Sequence, residues 1–65
     1  MYLTEMGKRI RAIRKSQNVS LQKLGVRCNM FYSVICQIEN GNRNCHILIL
    51  KTIADALNVD VKDFI

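Results

Sequence analysis

An all-α fold, compact and confined to one domain, follows from three properties of this 65-residue chain. Apolar residues return every three or four positions along most of its length, which is the period of a helix face rather than a strand. Short polar breaks at Gln17-Asn18-Val19, Asn29-Met30, Asn40-Gly41 and Asn58 separate these periodic stretches, and no Pro interrupts them. The length allows only one small core, and no repeat, linker or low-complexity tract divides residues 1–65 into smaller units.

The first helix is predicted over residues 4–17, where Leu3, Met6, Ile10 and Ile13 recur at helical spacing and Lys8, Arg9, Arg11 and Lys15 fill the other faces. Ser20 is a good N-cap for a second helix over 20–28 with Leu24 inward, although Lys23 stands where Glu or Gln would complete a capping box. After the Asn29-Met30 turn, a third helix covers 31–39. Ile35 and Ile38 share its inner face, and Tyr32, Ser33, Cys36 and Gln37 point elsewhere. Gly41 can take the left-handed conformation that closes this helix. A polar loop, Asn42-Arg43-Asn44, leads to a fourth helix over 46–57 with Ile47, Leu50, Ile53, Ala54 and Leu57 on its inner stripe, and Asn58 stops it. Asp60 then caps a last turn, 61–65, that brings Val61 and Phe64 to the core, which makes five helices in all.

The formal net charge of +5 favours an anionic partner, and the charge is unevenly placed. Residues 1–43 hold eight Lys/Arg against two acids, whereas 44–65 hold two Lys against three Asp. No apolar run approaches the roughly 18 residues of a spanning helix and no signal-peptide layout is present, so no membrane partner and a cytoplasmic location are expected. Cys28, Cys36 and Cys45 are odd in number and lack a C-x-x-C spacing, which argues against a disulfide framework or zinc ribbon. With His46 they supply four candidate ligands, but adjacent Cys45 and His46 rarely converge on one tetrahedral ion. No metal and no cofactor are expected; the thiols serve as small apolar residues, with Cys36 the most exposed. One His, without paired carboxylates near it, gives no nucleophilic constellation, so the chain is not expected to be an enzyme.

Four segments appear in order along nearly the whole chain: Ile10-Arg11-Ala12-Ile13-Arg14, Ser20-Leu21-Gln22-Lys23-Leu24-Gly25, Ile35-Cys36-Gln37-Ile38-Glu39-Asn40-Gly41, and Leu50-Lys51-Thr52-Ile53-Ala54-Asp55-Ala56-Leu57-Asn58-Val59. In this succession the chain resembles the helix-turn-helix domain of the phage repressor/Cro (XRE-like) family. The resemblance implies a five-helix repressor-like domain with the helix-turn-helix at about 20–39, and a transcriptional regulator that binds double-stranded DNA sequence-specifically. It places helix 31–39 in the major groove, with Phe31, Tyr32, Ser33 and Gln37 facing base edges. Gln37 is the leading base reader, because an amide with one donor and one acceptor side matches adenine N6 and N7. Phosphate contacts are implied for Arg14, Ser20, Asn40, Asn42, Arg43 and Asn44. Arg14 is further implied to pair with Glu39 while its remaining N–H groups face DNA. The chain departs from the family pattern at Leu21, where a phosphate-binding Gln is common, at the apolar Phe31 and Val34, and at Cys45, where Pro is common.

Proteins of this kind usually act as symmetric dimers on two half-sites, so a homodimer is expected. Leu48 and Ile49, with Val59 or Ile65, form a candidate apolar seam for it; the competing use of these residues is to fill the core. The rival function is a protein-interaction module on the same fold, antitoxin-like or antirepressor-like, which would meet a regulatory protein partner through Phe31, Val34, Leu48 and Ile49.

Overall fold

The computed structural model describes residues 2–65, with side chains described from Thr4 onward. Four α-helices follow one another: α1 (Tyr2–Ser16), α2 (Leu21–Cys28), α3 (Tyr32–Glu39) and α4 (Ile47–Leu57). A 3-10 turn, Val61–Phe64, ends the chain, and no strand occurs among the described residues. The last element therefore corrects the expectation of a fifth helix. Its four residues are held by a reciprocal cap instead, in which Lys62 N–H donates to Asp60 Oδ1 at 3.3 Å and Asp60 N–H donates to Asp63 Oδ2 at 3.1 Å.

The helix ends follow from residues that tolerate positive φ. Asn18, Asn29 and Asn58 lie at φ 58°, 56° and 60°, each just past a helix, and Gly41 lies at φ 74° after α3. Asn reaches this left-handed region more readily than other side chains because its short amide can bond locally. Asn29 and Asn58 also return their backbone N–H groups to carbonyls of α2 and α4. Gln17 closes α4 from outside by donating its Nε2 to the Leu57 carbonyl at 2.7 Å, a tie between residues forty positions apart that no local pattern announces.

One core holds these elements together. Met6, Ile10, Leu24, Ile35, Ile38, Leu50, Ile53, Ala54, Leu57 and Phe64 are all buried, and Phe64 brings the last turn onto α1 and α4. One expectation needs correction and one falls outside the described residues. Ile47, expected on the inner stripe, is the first residue of α4 and is 52% exposed, and the buried stripe begins one turn later at Leu50. Val19 lies in the α1–α2 turn as expected, and its side chain is buried in the core. Leu3's side chain falls outside the described residues.

α1 crosses α3 at Gly7. A Cβ there would collide with the backbone carbonyl oxygens of Ile38 and Glu39, so only glycine permits this approach. The contact presses the C-terminal end of α3 against α1 and so fixes how α3 projects from the body of the protein.

Candidate nucleic-acid interface

The inner side of α3 is anchored by Ile35 and Ile38, with Val34 partly buried against the core. On the opposite side Phe31 is 81% exposed and Tyr32 53% exposed, and Ser33 and Gln37 are also exposed. Phe31 is the N-cap of α3 and makes no side-chain cap bond, which leaves the first backbone N–H groups of the helix without an internal side-chain partner. Asn40, Asn42, Arg43 and Asn44 follow α3 and are all exposed. Ser20 caps α2 through a hydrogen bond from Lys23 N–H to its Oγ at 3.1 Å, and it too is exposed. The residues implied as base and phosphate contacts are thus accessible, with one exception.

That exception is Arg14, only 7% exposed. Its Nε donates to Glu39 Oε2 at 2.7 Å, Nη2 to Glu39 Oε1 at 3.1 Å, and Nη1 to the Val19 carbonyl at 2.8 Å. The fork meets the carboxylate through two parallel bonds, the geometry for which arginine is suited. Each guanidinium nitrogen makes one bond inside the protein, and these bonds use three of its five N–H groups. Arg14 and Glu39 join α1, α3 and the α1–α2 connection.

A feature invisible in the sequence ties the loop to the helix: Arg43 Nη1 donates to Gln37 Oε1 at 3.1 Å. The only signal that could have suggested it is the six-residue spacing across the Asn40-Gly41 break, which brings a long cation back over the last turn of α3. Lys8, Arg9, Arg11, Lys15, Lys23 and Arg27 are exposed cations on α1 and α2.

The apolar surface divides in two. Leu48 is 67% and Ile65 72% exposed, whereas Ile49 and Val59 are partly buried against the core, so the four candidate seam residues split between surface and core. Ile65 also lines a groove with Met6, Cys45, Leu50 and Phe64. A second shallow groove between α2 and α3, lined by Gly25, Val26, Met30, Phe31 and Tyr32, carries an 82% exposed Val26 that sequence reasoning passed over.

Cys28 is buried, and Cys36 and Cys45 are both intermediate, so Cys36 is not uniquely exposed. Burial pushes the Cys28 and Cys45 thiols above the ordinary value, which keeps them protonated and less nucleophilic. Among the described residues, no cluster of three or more His, Cys, Asp or Glu has a metal-holding arrangement. No described helix is long and apolar enough to cross a membrane.

Comparison with known proteins places this geometry among related folds. Residues 10–64 match the helix-turn-helix family HTH_3. The control protein C.BamHI of Bacillus amyloliquefaciens is 37% identical over 60 residues, spanning 91% of this chain and 74% of that protein. The crystal structure of the restriction-modification controller protein C.AhdI from Aeromonas hydrophila superposes with a TM-score of 0.94 at 24% identity, covering 97% of this chain and 96% of that one. The DNA-binding domain of BldD gives a TM-score of 0.89 at 27% identity, covering 98% and 93% of the two chains. With the match spanning α2, α3 and the end-to-end order of the remaining elements, the chain belongs to the XRE-type helix-turn-helix family of DNA-binding transcription regulators.

Proposed function

We propose that this protein is a sequence-specific regulator that binds double-stranded DNA as a homodimer and places α3 in the major groove. The observation that carries this reading is the two-sided character of α3. Its rear is locked by Ile35, Ile38 and the Arg14–Glu39 pair, while Tyr32, Ser33 and Gln37 stand exposed on its outer side. A rigidly mounted helix with outward polar groups suits a groove of known width, because base-edge hydrogen bonds discriminate only when the donors are held in place. Phe31 would lie against a thymine methyl, and Ser20, Asn40, Asn42 and Asn44 would bond phosphates and set register. The exposed lysines and arginines of α1 and α2 supply the field that draws DNA in.

The similarity to a control protein and to a restriction-modification controller supports a regulatory role at a locus of that kind. Leu48 and Ile65 would form the centre of the dimer seam, with Ile49 and Val59 behind them. Selection of bound duplexes from a random pool at near-physiological salt tests the proposal: an inverted repeat with half-sites about one helical turn apart is the expected product. Failure of the folded protein to enrich any motif would reject it.

A second reading, a protein-interaction module, is favoured by one observation: Val26 and Phe31, 82% and 81% exposed, flank the apolar groove between α2 and α3. Salt separates the two readings. DNA binding through several phosphates weakens steeply as salt rises, and an apolar protein interface does not.

A further inference from the structure

Gln37 and Arg43 are bonded to each other, and that bond decides what Gln37 can offer to a base. A guanidinium has donors only, so the amide atom that faces Arg43 Nη1 at 3.1 Å is the carbonyl oxygen. The bond takes one of that oxygen's two lone pairs and turns the acceptor side of Gln37 toward the loop that carries Arg43. What remains pointing outward is the Nε2 amino group, a donor, and beside it are the unused N–H groups of Arg43, which are donors too. Both residues are exposed, so the pair is reachable by a partner.

We propose that Gln37 and Arg43 act as one donor-only unit that reads guanine, with Arg43 as the positioning residue that sets the amide orientation of Gln37. This rests on the DNA-binding reading above. Among the major-groove edges only guanine presents two acceptors, N7 and O6, side by side. Adenine presents N7 beside the N6 amino donor, which a donor-only unit leaves unmatched. A free glutamine, with donor and acceptor together, matches adenine instead. The chain thus carries the residue type for an adenine contact and, through Arg43, inverts its preference. The bond also fixes two flexible side chains before DNA arrives, which lowers the ordering cost on binding.

The experiment is selection of duplexes from a random pool by the wild-type protein and by Arg43→Ala, with circular dichroism to show that both are folded. Selection by the variant is run at reduced salt to offset the lost charge. Wild type is expected to enrich guanine at one position of each half-site. Arg43→Ala, by freeing the Gln37 oxygen, is expected to move that same position to adenine with a preference of about tenfold or more, leaving the rest of the motif in place. A second variant, Gln37→Glu, keeps an acceptor for Arg43 but has no amide donor, and is expected to reduce the guanine preference at that position. Arg43→Ala with an unchanged base at every position, merely bound more weakly, makes Arg43 a phosphate contact and overturns the inference while leaving the DNA reading intact. Retention of full guanine preference by Gln37→Glu overturns it as well. Should no folded protein enrich any motif, the DNA reading fails and the inference falls with it.

Discussion

Arg14 and Glu39 have side chains that are 9% and 4% exposed, which is unusual for opposite charges in a domain of this size. Their attraction offsets the cost of leaving water only because the fork is bidentate and the third nitrogen finds the Val19 carbonyl. Removing one partner leaves a buried charge uncompensated. Glu39→Ala is therefore expected to destabilise the fold by about 3 kcal/mol or more, a large share of what a small domain has, and urea denaturation measures it. A loss under about 1 kcal/mol would mean that Arg14 reaches water without cost. The same residue scale separates what sequence could show from what it could not. Arg14 and Glu39 were legible as a pair from the family pattern. Gln37 and Arg43 were each legible as contacts, but not as partners.

At the scale of elements, each helix is positioned by the residue that ends it. Asn29 closes α2 at φ 56° and turns the chain toward α3, so its conformation sets the angle inside the helix-turn-helix. Substitution by Gly preserves access to the left-handed region, whereas Ala incurs a cost there of about 1–2 kcal/mol. Thermal melts of Asn29→Gly and Asn29→Ala should therefore diverge, with the Ala variant clearly the less stable. Equal melting temperatures would show that the turn does not constrain the fold. The boundaries of α2 and α3 were readable because Ser20, Asn29 and Asn40-Gly41 are strong local signals. The final element was misread as a helix because Val61 and Phe64 show the right spacing; only the short reciprocal cap of Asp60 and Asp63 reveals a 3-10 turn. Gly7 has no local reason to be glycine, since its cause lies in the carbonyls of a helix some thirty residues away.

For the whole molecule, Val26 and Phe31 are exposed within the basic part of the sequence, and a second set of exposed apolar residues lies apart from it. The basic residues crowd the first 43 positions, and Leu48 and Ile65 stand exposed on the opposite part of the sequence. In the proposed function, one region would meet phosphates while the other would meet a second copy. Leu48→Lys is expected to shift the protein toward monomer in sedimentation experiments, and to weaken binding to a two-half-site duplex far more than to a single half-site. An unchanged dimer would move the interface away from α4.

Sequence by itself determined the all-α class, the order of the helices, most of the core and the basic character of the first two-thirds of the chain. These depend on periodicity, capping residues and charge, which are local or additive properties. Tertiary structure alone decided where particular residues go: the Arg14 Nη1 to the Val19 carbonyl, Ile47 to the surface, Val19 to the core, and the Gln37 oxygen to Arg43. The physical reason is that a polar group's availability depends on who already satisfies it, and those partners come from distant positions brought together only by folding.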